Sequence, residues 1–239
     1  MREERKLYTS FRDIPPREYM YFPKGTLEMG KPGKFSRIEI KHLLLAMVVL
    51  TLAFSFPLSQ SGLFFGKIDA DAFVYALPVS FFGLLTAFFV HELAHKFMAQ
   101  KYGLWSEFRM FLGGLVFSLV LAVVTGVVFA APGAVMFRGE ARRFEMGRIA
   151  AAGAMANIAI AAVTLLLYLV VFFEISYIGK LIGFVCLVNA LLATFNLLPF
   201  GPLDGAKVIR WNGIIWAILF ILAIVLTALI VPRFVPTFY

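Results

Sequence analysis

The sequence predicts an all-α polytopic membrane protein, with about five full spans, a re-entrant or sixth apolar segment, and a small membrane-associated β element. Three observations carry this expectation. Hydrophobic residues make up 61% of the 239-residue chain and charged residues only 15%, against about 45–50% and about 25% in soluble domains. Mean hydropathy is +0.88. The apolar residues gather in runs near the ~20 residues a bilayer crossing needs, and the charges mostly lie outside them.

Residues 1–41 carry ten Lys/Arg and six Asp/Glu and read as a basic cytoplasmic N-terminal segment. They do not read as a cleavable signal, which places a short apolar core within its first ~15–30 residues. Within them, residues 14–34 hold four prolines and three glycines, so irregular backbone over the membrane surface is expected. Residues 35–42 (FSRIEIKH) alternate in polarity, which predicts a short strand. Residues 42–239 read as one membrane-embedded domain with spans at 42–59, 73–98, 149–173, 177–197 and 212–232. A further apolar stretch, 111–131, contains Gly113, Gly114 and Gly126 and runs into AAPGAV at 130–135. Its length allows a crossing, while its glycines and proline favour irregular backbone covered by protein.

Charge decides between these two paths. With the N-terminus in the cytoplasm and 111–131 re-entrant, 19 of the 22 Lys/Arg fall on the cytoplasmic side. If 111–131 crosses fully, fewer do. The positive-inside rule selects the re-entrant path. The net charge of +8 is therefore a topology signal facing anionic lipid rather than a nucleic-acid footprint. The single cysteine, Cys186, makes no internal disulfide and reads as a small apolar packing residue.

The segment HELAH (91–95) lies near the cytoplasmic end of the second span. Helical positions i and i+4 share a face, so His91 and His95 can hold one zinc, with Glu92 beside them as general base for its water. Two of the chain's three histidines fall at this spacing. Ionisable groups in an apolar span cost several kcal/mol, by order of magnitude, unless paired or coordinated. A catalytic zinc takes three protein ligands and keeps one position open. His42 begins the first span and reads equally well as an interfacial residue. The better third ligand is Asp204 in NLLPFGPLDG (196–205), where Pro199, Gly201 and Pro202 break the 177–197 span. Only the re-entrant path brings Asp204 to the same membrane face as HELAH, so charge and ligand convergence select one topology.

With HELAH (91–95), AGAMAN (152–157) and NLLPFGPLDG (196–205) in this order, the chain resembles the site-2 proteases, intramembrane zinc metalloproteases that cleave membrane-embedded helices. The likeness runs from about Ile38 to Arg210. It implies one Zn²⁺ on His91, His95 and Asp204, Glu92 as the catalytic base, and Asn196 as a substrate-binding or oxyanion-stabilising group. Asn157 matches the polar position that closes the family's A-G-P-x-x-N element and is a second oxyanion candidate. The partners implied are a transmembrane-helix substrate and the lipid bilayer. The chain departs from the pattern where Gly153-Ala154 replaces Gly-Pro, and in the length of 111–131. That region of the family carries a membrane-associated strand that pairs with extended substrate, and PGAVMF (132–137) is the candidate here. Asn189 and Asn196 share one face of the 177–197 span, and an interhelical hydrogen bond accounts for Asn189. Two rival functions remain open at this stage: a zinc protease acting on juxtamembrane or soluble peptides, and a metal transporter, which has no need of Glu92. Oligomeric state is not legible.

Overall fold

The computed structural model describes residues 34–129, 132–139, 141–170 and 177–234. The irregular backbone expected over residues 14–33, and the last residues of the 149–173 span, lie outside them. Five helices are long and apolar enough to cross a membrane: Arg37–Leu58, Ala70–Lys101, Arg143–Val170, Tyr177–Asn196 and Gly213–Phe234. The chain is thus an all-α multi-pass membrane protein with a small two-stranded sheet.

Helix α1 (Arg37–Leu58) starts earlier than expected and replaces the strand read at 35–42. The cause is local. Ser36 caps the helix by accepting a hydrogen bond from the Glu39 backbone N–H (3.1 Å), and a cap of this kind outweighs a brief period-2 pattern. Asp69 caps α2 (Ala70–Leu84) in the same way. A π-turn at Leu85–Phe89 joins α2 to α3 (Val90–Lys101) without a break, giving one 32-residue span. The remaining spans are α5 (Arg143–Val170), α6 (Tyr177–Asn196) and α8 (Gly213–Phe234), with a short α7 (Asp204–Trp211) between the last two.

The stretch expected to be re-entrant folds as a hairpin of unequal arms. Strand β1 (Trp105–Met110) leads into α4 (Leu112–Thr125), and β2 (Gly133–Arg138) follows it. Fourteen residues of helix span about 21 Å, short of the ~30 Å hydrocarbon core. Gly126 ends α4 in the left-handed region (φ 69°), and the chain turns back alongside the helix. The Ser118 hydroxyl donates to the Phe129 carbonyl (2.6 Å), and the Phe111 N–H donates to the Pro132 carbonyl (2.8 Å). The two strands then pair antiparallel, with Met110 opposite Gly133 and Trp105 opposite Arg138. Segment 111–132 therefore enters and leaves at the same place and makes no net crossing. Its far tip touches the loop between α1 and α2, where the Leu63 N–H donates to the Val123 carbonyl (2.8 Å).

Small residues let the spans approach closely, as is usual where lipid supplies no hydrophobic drive between helices. Ala150, Ala151 and Ala154 of α5 pack against Ala193 and Leu197 at the end of α6 and against Val208 of α7. Farther along, Ala161, Leu165 and Tyr168 meet Phe184, Cys186 and Val188 of α6 and Ile230 and Phe234 of α8. Large apolar side chains such as Ile214, Ile218 and Ile221 of α8 face outward, where lipid solvates them.

One buried ion pair ties one end of the bundle together. Lys96 Nζ donates to both oxygens of Glu39 (2.8 and 2.6 Å) and to the Ser106 carbonyl (3.0 Å). The Phe108 N–H donates to Glu39 Oε1 (3.0 Å). Helix α1, helix α3 and strand β1 thus share one charge pair of which neither member is more than 1% exposed. Removing one partner of such a pair costs about 3–5 kcal/mol, whereas replacing both by apolar groups of similar volume is often neutral. The variant Lys96→Met should therefore lower the thermal midpoint in detergent markedly, and adding Glu39→Leu should restore most of it. A single variant as stable as the wild type would contradict this role.

Candidate metal centre and its surroundings

The π-turn lies directly before the HELAH segment, and two asparagines hold it. Asn157 of α5 donates to the Ala87 carbonyl (3.1 Å), and Asn189 of α6 donates to the Thr86 hydroxyl (2.9 Å). The second contact is the interhelical bond expected of Asn189. A π-turn rotates everything after it relative to a regular helix. With that rotation, His91, Glu92 and His95 of α3 face the interior, and all three are buried.

Asp204 arrives from the other side of the bundle. Helix α6 ends at Asn196, and the proline-containing turn that follows delivers Asp204 as the first residue of α7. Gly205 permits this, because a Cβ there would collide with the carbonyl of Leu197. Asp204 Oδ2 lies 2.9 Å from His95 Nε2 and 3.5 Å from His91 Nε2. The two Nε2 atoms are 2.9 Å apart. The ring of His95 is fixed from behind: a carbonyl only accepts, so its Nδ1–H donates to Ile149 O (2.7 Å) and Nε2 is left free as a ligand. The third histidine is elsewhere. His42 Nδ1 accepts from the Met110 N–H at the end of β1 (3.4 Å).

Glu92 points beside this cluster, and its Oε2 accepts from the Val135 N–H of β2 (3.0 Å). All four residues line a cavity of about 560 Å³. Its walls are mostly apolar, with Phe129, Pro132 and Val135 of the hairpin on one side and Val188 and Leu192 of α6 on another. Asn196 also lines it, with its amide donating to Leu192 O of its own helix (3.1 Å). Asn157 does not. It is fully buried and its amide is committed to Ala87, so the structure brings Asn196, but not Asn157, to the cavity.

Comparison with known proteins names the chemistry. Over 187 residues, 77% of this chain, it is 37% identical to a protein described as a putative zinc metalloprotease of Methanocaldococcus jannaschii, of which 90% is covered. A second zinc metalloprotease of the same organism is 32% identical over 133 residues, 55% of this chain and one third of its own length (33%). The chain belongs to the zinc metalloprotease family. No family model and no solved structure matches it.

The residues present fit the zinc that membership implies. One nitrogen from each histidine and one oxygen of Asp204 lie within 4.8 Å of one another, and their separations of 2.9–3.5 Å bracket the ~3.3 Å edge of a tetrahedron with bonds of about 2.0–2.1 Å. Gly153 of α5 forms the floor: a Cβ on it would stand 2.5 Å from His95 Nε2 and 2.7 Å from His91 Nε2. The metalloprotease therefore keeps the ion's space by having no side chain at that position.

Sequence reading missed three features of the site. The Val135 N–H carries no side-chain signal. Gly153 stands inside AGAMAN, where it marks only a departure from the family's Gly-Pro. Lys207, which bonds Asp204 Oδ1 (3.0 Å), was read only as a topology charge. The variant Gly153→Ala should lose most of its zinc, measured by elemental analysis of purified protein, while its helical circular dichroism persists. One equivalent of zinc retained by that variant would show that Gly153 does not bound the site.

Proposed function

We propose that this zinc metalloprotease is of the site-2 type and hydrolyses peptide bonds within transmembrane segments of membrane-protein substrates. The observation that carries the reading is the location of the site: a buried His-His-Asp cluster with a neighbouring glutamate, in a cavity among helices long and apolar enough to cross a membrane. A protease of soluble peptides has no need to bury its centre in such a bundle. The N-terminus and the site face the cytoplasm in this proposal, supported by the 19 of 22 basic residues that share one side of the membrane when 111–131 is re-entrant, the side the positive-inside rule makes cytoplasmic.

His91, His95 and Asp204 would hold the zinc, which would supply a Lewis acid able to acidify water and polarise the scissile carbonyl. Glu92 takes the proton from the attacking water at the carboxylate oxygen not engaged by Val135, then returns it to the leaving amine. The Val135 N–H fixes the rotation of that carboxylate. Asn196 is the side-chain amide within the cavity available to the developing oxyanion, on exchanging its bond to Leu192. Asn157 serves at one remove, by holding the π-turn that aims the histidines.

A helical substrate shields its peptide bonds, so the scissile segment must be extended. Strand β2 pairs with β1 on one edge. Its other edge carries the Val135 N–H towards Glu92 and has no partner strand among the described residues. Gly133, Ala134, Val135 and Phe137 line the cavity. Addition of a substrate strand there would replace the hydrogen bonds lost on unwinding. A metal transporter would use the same ligands but has no role for Glu92, and membership of a protease family speaks against it.

The test is Glu92→Gln. This variant should retain one zinc per chain and lose cleavage of a model transmembrane substrate by at least about 10²-fold, the low end of general-base contributions. Cleavage at the wild-type rate would refute the mechanism. Preference for a soluble peptide over the transmembrane substrate would refute the substrate class.

A further inference from the structure

The two oxygens of Asp204 have different partners. Oδ2 faces both imidazoles, at 2.9 and 3.5 Å. Oδ1 faces away from them and accepts from Lys207 Nζ at 3.0 Å. Lys207 lies three residues along α7, so it shares the helix face of Asp204. Among the described residues it is the one cationic side chain that lines the cavity. Its side chain is 38% exposed against 10% for Asp204, so the ammonium stays hydrated on one side while it bonds the carboxylate on the other.

This division matters to a hydrolytic centre. A carboxylate bound through one oxygen leaves the fourth position of a three-ligand zinc open, as catalytic sites require. A carboxylate bound through both oxygens fills it, so that water or substrate can enter only by raising the coordination to five. The side chain alone does not choose, and rotation about its last bond exchanges the two modes. A charge-assisted hydrogen bond on one oxygen does choose, because swinging that oxygen to the metal would abandon the ammonium.

We propose that Lys207 is a positioning residue of the metal centre, which holds Asp204 to one-oxygen ligation and so keeps a coordination position open for water and substrate. The inference rests on His91, His95 and Asp204 being the zinc ligands. Lys207 acts on the metal centre through Asp204, whose Oδ1 it bonds at 3.0 Å. Its position near the cavity surface also means that its loss leaves the packing of the bundle unchanged.

The experiment compares the full-length wild type with Lys207→Met and Lys207→Arg in detergent. Zinc affinity is measured by competition with a chromophoric chelator, and the visible spectrum is recorded after replacing zinc with Co²⁺, whose absorption is strong when four-coordinate and weaker when five-coordinate. The Met variant should bind zinc about 10–100-fold more weakly, the usual effect of removing a partner behind a ligand. Its Co²⁺ absorption should fall as Asp204 takes up two-oxygen binding. The Arg variant should keep the wild-type spectrum. A Met variant with wild-type affinity and spectrum would overturn the proposal, as would an Arg variant as impaired as the Met variant. A wild-type chain that binds neither ion would instead refute the ligand assignment on which the proposal rests.

Discussion

The rest of the structure depends on the cost of placing two imidazoles and two carboxylates inside an apolar bundle. Unpaired, such groups cost several kcal/mol, by order of magnitude. They are tolerable here because they converge. His91 and His95 come from the end of one span, and Asp204 from the turn after another, more than a hundred residues later in the chain. The same turn sets Lys207 behind Asp204, and α5 sets the Ile149 carbonyl behind His95. Each member of the cluster other than His91 therefore has a described partner on its far side, and the apolar walls meet one polar cluster rather than scattered charges.

That convergence dictates the chain path. Both spans must end on one membrane face, so segment 111–132 must return to the side it left. It does so as a helix with a backfolded arm, and the two strands that close the hairpin bring β2 against Glu92. The buried Lys96–Glu39 pair then connects the helix of the histidines to α1 and to β1, next to the strand that bonds Glu92. Lys96 follows His95 directly in the sequence, so the His-His-Asp cluster and the structural ion pair occupy adjacent positions on one helix and face different elements. The glycines of this region serve the same end. Gly153 leaves room for an ion and Gly205 lets α7 reach the end of α6.

Much of this was legible in the sequence. The five spans followed from run length alone, and their cores fall where expected. HELAH gave the spacing that puts two histidines on one face, and the charge asymmetry gave the hairpin. PGAVMF was recognisable as a strand, and β2 covers Gly133–Arg138. What escaped has physical reasons. The strand expected at 35–42 is helix because Ser36 caps it, a contact that outweighs alternation over a few residues. Strand β1 (WSEFRM) gave no alternating signal because Glu107 and Arg109 pair with each other while buried (2.6 Å), so its charges do not mark a solvent face. Asn157 looked like a catalytic amide from its motif, yet it is spent on the carbonyl of a π-turn that no local pattern announces.

The most direct measurement is zinc K-edge X-ray absorption on the purified full-length protein. It reports the atoms bound to the metal without reference to any substrate. The expected spectrum comes from one zinc per chain with two imidazoles, carboxylate oxygen and no sulfur. A third imidazole, which only His42 could supply, a sulfur ligand, or the absence of stoichiometric zinc would contradict the assignment of His91, His95 and Asp204 as the centre around which the chain folds.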